Sequence, residues 1–153
     1  MKLGTKARYA VMAMVDLARY GSASPVPLAE IAERQGLSLL YLEQLFGRLR
    51  RAGLVEATRG PGGGFALTRP PGMVRIADIV LAVEEEIKAT RCEAGSPQGC
   101  MADKARCLTH DLWEELGRQI LLFLNAVSLE DVVEGRLLGA ARLFAPEPVC
   151  AAE

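Results

Sequence analysis

The chain has 153 residues, half of them hydrophobic and 24% charged, which excludes a disordered chain and suits one compact domain or a small domain with an oligomerisation element. No apolar run approaches the ~18 residues of a membrane span, and the opening "MKLGTKARYAVMAMV" has no long apolar core before a small-residue cleavage site, so a cytoplasmic protein is expected. The net charge of −1 conceals a division, because residues 1–75 carry 11 Lys and Arg against 5 Asp and Glu, whereas residues 76–153 carry 7 against 14. A basic half joined to an acidic half points to one end meeting a polyanion.

The first predicted helix covers residues 4–20, where Ala10, Met14, Leu17 and Ala18 share a face that Val11 and Val15 widen. After "GSASPVP" (21–27), a second helix has Leu28, Ile31 and Ala32 as its stripe and Gly36 at its end. Ser38 has the position and chemistry of an N-cap for a third helix. There Leu42, Leu45, Phe46 and Leu49 recur at i, i+3, i+4 and i+7, and Gly53 is placed to cap the C-terminus. Two helices across a short Gly-containing turn fit a helix-turn-helix. "LVEAT" (54–58) and "FALT" (65–68) are strand candidates joined by "RGPGGG" (59–64). Three helices and a hairpin, in a basic half-chain, make a winged helix-turn-helix with double-stranded DNA as its partner. The glycines do not form a nucleotide phosphate loop, which needs Lys-Ser/Thr and a helix after them, whereas Phe65 and a strand follow here.

"MVRIADIVLAVEEEI" (73–87) is a fourth helix, with Ile76, Ile79, Val80 and Val83 on its apolar side. After a polar segment, "HDLWEELGRQILLFLNAV" (110–127) forms a long helix in which Trp113, Leu116, Ile120, Phe123 and Val127 step as a heptad seam, broadened by Leu112, Leu121 and Leu124. An ordinary buried helix is the alternative. A dimerisation helix is preferred, because the segment is more apolar than a small chain can cover and winged-helix proteins commonly read two half-sites. A homodimer on a pseudo-palindromic operator is therefore expected. "SLED" (128–131) has capping-box spacing and opens a short last helix. The expected class is mainly α with a small β-hairpin wing. Its expected parts are a DNA-binding domain (1–75), a helix, ligand loop and dimerisation helix (76–135), and a loose tail (136–153) in which Cys150 is a bystander.

With Leu42, Leu45, Phe46 and Leu49 facing the core, 100° per residue puts Leu40, Gln44, Gly47 and Arg51 on the opposite face. Glu43 and Arg48 flank them, and Ser38, Leu39 and Tyr41 lie near the end that enters the major groove. Gln44 can pair bidentately with adenine, and Leu40 can pack on a thymine methyl. Arg48, Arg50 and Arg51 suit phosphates. Arg59, with Gly60 beside it at the wing tip, can enter a narrow minor groove. Glu43 is repelled by phosphates and is favourable only beside a donor such as cytosine N4, so it is expected to filter operators. For each charged side chain the alternative is a solvated helix face.

Thr90 to Trp113 holds three of the four cysteines and the only histidine, as Cys92, Cys100, Cys107 and His110 in the spacing C-x7-C-x6-C-x2-H. Only Cys107 and His110 are close, one helical turn apart. Three thiolates and an imidazole can hold zinc, and they also suit a [2Fe–2S] cluster, whose two irons spread their ligands further. A catalytic Cys107–His110 pair lacks an orienting partner and leaves Cys92 and Cys100 unexplained, so an enzyme is not expected.

"TKARYAV" (5–11), "PVPLAEIAERQGLSLLYLEQLFGRLRRAGLV" (25–55), "RGPGGGF" (59–65), "ATRC" (89–92) and "CLTHDLW" (107–113) together resemble the IscR-type iron–sulfur cluster regulators over about residues 1–135. The resemblance implies a winged-helix homodimer holding a [2Fe–2S] cluster through Cys92, Cys100, Cys107 and His110. It also implies cluster-donating assembly proteins as partners. Such regulators repress cluster-assembly genes when loaded and bind a second operator class without the cluster, with the glutamate at Glu43 helping to discriminate. Close relatives space their cysteines more tightly, and they can carry a small polar residue where Leu40 stands. Related nitric-oxide sensors use an acidic N-terminal ligand, whereas this chain has Arg8 in that region and offers His110.

Overall fold

The described residues of this computed structural model, 4–83, 98–99, 101 and 103–137, fold in the expected order. Helices α1 (Thr5–Tyr20), α2 (Leu28–Gln35) and α3 (Leu39–Arg51) precede a hairpin of β1 (Val55–Thr58) and β2 (Gly64–Leu67). A 3-10 turn at Pro71–Met73 leads to α4 (Ile76–Val83), and α5 (His110–Ala126) and α6 (Leu129–Val133) follow. Among the described residues the fold is therefore mainly α with one two-stranded antiparallel sheet.

Helix α1 is central, touching α2, α3, α4, α6 and β2. It can be approached so closely because Ala7, Ala10 and Ala13 are buried together with Met14 and Leu17. Ala18, expected on the core face, is only half-buried, and Ala7 and Ala13 take the buried positions instead. One polar group is buried with them. Asp16 accepts from Arg34 Nε at 3.1–3.2 Å, Arg34 Nη2 at 2.7 Å and Gln35 Nε2 at 2.8 Å. The Tyr20 ring lies 4.5 Å from the Arg34 guanidinium carbon. This clamp fixes α2 on α1, and the hydrogen bond to Asp16 holds the Arg34 pKa above its ordinary value.

Ser38 caps α3 by accepting from the Tyr41 N–H at 3.5 Å. Leu42, Leu45, Phe46 and Leu49 are buried as expected. Each such burial is worth roughly 1.5–3 kcal/mol. The helix ends in a paired closure, with the Gly53 N–H donating to Arg50 O and the Leu54 N–H to Leu49 O, both at 3.0 Å. Gly53 has φ 72°, which a residue without Cβ adopts at no steric cost. The hairpin pairs Val55 with Leu67 through Thr58 with Gly64, and Val26 bridges Phe65 on the other side of β2. Phe65 meets Phe46 edge-on at 4.9 Å, which holds the hairpin against α3.

The fourth helix starts at Ile76 rather than Met73. Backbone groups that would begin it earlier are engaged at long range: Leu129 N–H donates to Val74 O at 2.8 Å and Ile76 N–H to Val127 O at 3.0 Å. Residues 84–87 of that expectation lie outside the described residues. The α6 capping box is present, with Ser128 Oγ accepting from Asp131 N–H and Asp131 Oδ2 from Ser128 N–H. Ile76, Val80 and Leu129 share one core with Met14, Ile31 and Phe46, so the described residues on both sides of residue 75 form a single packed unit.

Candidate functional site

The face expected to meet DNA is built by two elements. On α3, Leu39, Leu40, Glu43, Gln44 and Arg51 are exposed, opposite the buried leucines, and Ser38 stands at the helix start. Leu40 is 68% exposed at the start of that face. Tyr41 is half-buried, its ring set edge-on to Tyr9 at 6.0 Å, so α1 positions it. Arg51 Nε donates to Gly47 O at 3.2 Å within the helix. Arg59 and Gly60 are exposed at the hairpin turn, where Gly60 has φ 96°. Arg48 differs from the expectation of a free phosphate ligand. It is half-buried and donates through Nη1 to Val83 O at 2.7 Å, which draws it toward α4.

Two of the four expected metal ligands, Cys107 and His110, are described; Cys92 and Cys100 lie outside the described residues. His110 opens α5, its N–H donating to Cys107 O at 3.0 Å. Its ring is buried, and Nδ1 has no hydrogen-bond partner among the described residues. Nε2 is 3.5 Å from Glu114 Oε2, a long contact. A buried imidazole nitrogen left without a partner costs about 1–3 kcal/mol unless something occupies it. Cys107 is a half-buried free thiol with Sγ 3.6 Å from Thr109 Oγ1, and the same hydroxyl accepts from Trp113 Nε1 at 3.2 Å. Thr109 thus ties both ends of "CLTHDLW" together.

The segment before Cys107 folds back on itself. The Gly99 N–H donates to Lys104 O at 2.8 Å and the Met101 N–H to Ala105 O at 3.1 Å, with Lys104 at φ 65°. A Cβ on Gly99 would collide with the backbone of Ala105 and Arg106, so only glycine fits. A free thiol and an orphaned imidazole nitrogen one turn apart fit a thiolate–imidazole metal group. His110, Asp111 and Glu114 also place ligand atoms within 4.8 Å of one another. Both carboxylates there are exposed, and an acidic first turn serves the helix dipole without a metal.

Along α5 the expected seam divides. Val127 and Leu124 are buried, and Ile120 and Leu121 are half-buried. Leu112, Trp113, Leu116, Leu122 and Phe123 are exposed in the single chain. No helix among the described residues is long and apolar enough to cross a membrane.

Residues 3–135 match Rrf2, described as an iron-dependent transcriptional regulator. The chain belongs to the Rrf2 family. Within Rrf2 it is 51% identical over 136 residues to the HTH-type transcriptional regulator IscR of Xenorhabdus nematophila, covering 89% of this chain and 81% of the relative. IscR of Yersinia pestis is 48% identical over the same shares. Among solved structures, T. potens IscR superposes with a TM-score of 0.72 at 37% identity, over 89% of this chain and 88% of that one. CymR, the global cysteine regulator of B. subtilis, gives 0.72 at 31% identity, over 88% and 97%. The chain is therefore an IscR-type Rrf2 transcriptional regulator with a winged-helix fold. Its relatives are regulators rather than enzymes, as the ligand segment led us to expect.

The clamp of Asp16 with Arg34 and Gln35 was not read from the sequence. Its signal was available, because Asp16 is the sole acidic residue of α1 and lies between buried Met14 and Leu17.

Proposed function

We propose that this Rrf2 protein is a cytoplasmic [2Fe–2S]-sensing regulator, mainly a repressor of cluster-assembly genes, whose cluster occupancy alters its choice of operator. The observation that carries this is His110, whose buried Nδ1 lacks a partner among the described residues, one turn beyond Cys107 at the head of a helix with an exposed apolar face. Cys92, Cys100, Cys107 and His110 would hold the cluster, which, when bound, supplies a centre of about −1 overall with neutral imidazole and is sensitive to iron supply and oxidation. A turn in which the Gly99 N–H donates to Lys104 O leads into Cys107. Thr109 and Trp113 orient that end of the site.

A homodimer formed on the α5 face would present two recognition helices to a pseudo-palindromic operator, with half-sites about one helical turn apart. Ser38, Leu39, Leu40, Tyr41, Glu43 and Gln44 would read the major groove. Arg51 would hold phosphate, and Arg59 with Gly60 would meet the minor groove. In this reading residues 1–75 bind DNA, 76–135 carry the sensor and dimer face, and assembly proteins donate the cluster.

The test is a visible spectrum of anaerobically purified protein, with iron, sulfide and zinc assayed on the same sample. Iron and sulfide near parity, with charge-transfer bands lost in Cys107→Ala, are expected. A protein that stays colourless after reconstitution and carries one zinc per chain would make the loop a structural site and end the sensing mechanism.

A further inference from the structure

Arg48 lies on the recognition helix, one turn beyond Gln44, yet its guanidinium reaches another element. Nη1 donates to the Val83 carbonyl at 2.7 Å across 35 residues of chain. Among the described residues this is the one hydrogen bond joining α3 to α4. Val83 itself is buried, so a charge-assisted donor there is a fixed attachment.

The start of α4 is attached as well. Ile76 N–H donates to Val127 O at 3.0 Å, Leu129 N–H to Val74 O at 2.8 Å, and Arg75 bridges Ser128. Val127 closes α5, and His110 opens it. A continuous hydrogen-bonded and helical connection therefore runs from His110 along α5 to Val127, across to Ile76, along α4 to Val83, and through Arg48 into α3. Packed helices and hydrogen bonds can carry coupling between sites, so these ties along α4 offer a physical route from His110 to the seating of α3.

We propose that Arg48 is a positioning residue that couples the Cys107–His110 end of α5 to the recognition helix through α4, and is not a phosphate contact. This rests on the reading of that end as the sensing site.

The test measures operator affinity in four full-length proteins: native, Cys107→Ala, Arg48→Met, and the double variant, each across a range of salt. Cys107→Ala is expected to change affinity by at least about fivefold in the native background and by less than about twofold beside Arg48→Met. Arg48→Met alone should leave the slope of log K against log salt unchanged. Three results would overturn the proposal. They are an equal effect of Cys107→Ala in both backgrounds, no effect of Cys107→Ala in the native one, or a slope reduced by about one unit in Arg48→Met, the signature of a lost phosphate contact. Should Arg48→Met fail to give a cooperative melt, Arg48→Lys takes its place, keeping the charge and stem without the planar head. Visible spectra of the same samples separate the two ideas. Coupling that survives without charge-transfer bands removes the cluster reading and keeps the tie.

Discussion

At the scale of single residues, two acidic side chains do opposite work. Asp16 is buried and needs its partners, since removing one side of a buried pair leaves a charge in a poor solvent. Arg34→Met is expected to lower the melting temperature clearly, whereas Glu30→Ala, on the exposed arm of the same arginine, should change it little. Equal small shifts would show that water, and not Arg34, solvates Asp16. Glu43 is exposed on α3 and is proposed to act by repulsion at operator sites lacking a donor. Glu43→Ala should raise affinity for the disfavoured operator by roughly tenfold, in line with one base contact, and so flatten the ratio between operators. An unchanged ratio from competition binding would remove the filter. Ser38 and Gly53 were legible because caps follow local rules. Asp16 was not, because its partners lie 18 and 19 residues away.

At the scale of elements, α3 and the described part of α4 matched their expected faces because repeats at three and four residues are written locally, whereas α1 buries Ala7 and Ala13 in place of Ala18 and the α5 seam divides. The start of α4 did not match, because its first backbone groups are engaged by Val127 and Leu129 from the far end of the chain. Of the candidate site, the solvent exposure of the outer α3 face was readable in advance. The attachment of Arg48 to Val83 was not, since a surface arginine carries no mark of which neighbour it meets. Helix α6 makes a pH prediction. Hydrogen bonds from the Ser128 side chain and backbone, aided by Arg136, hold the Asp131 carboxyl below its ordinary 3.8. A depressed carboxyl contributes stability that is fully present above the unfolded value and is lost as pH falls through the folded one. The stability difference between native protein and Asp131→Asn should therefore be constant above about pH 5 and shrink below about pH 4. A difference that stays flat from neutral into acid, measured by urea unfolding, would contradict it.

At the scale of the whole molecule, the exposed apolar side chains of α5 are what the proposed homodimer would cover. Trp113 and Phe123 are each 44% exposed, on a helix whose other face is buried. Phe123→Glu is expected to convert a dimer to a monomer in sedimentation equilibrium and to weaken operator binding by at least tenfold through loss of the second half-site; a native protein that already sediments as a monomer would refute the dimer. Sensing requires more than assembly, because occupancy of the loop can shift the recognition helices only if the two states bind DNA differently. The decisive measurement is operator affinity of cluster-loaded and cluster-free protein at one salt concentration. A difference of roughly fivefold or more, reversed for a second operator class, is expected. Identical affinities for every operator would show that the ligand loop does not govern DNA choice.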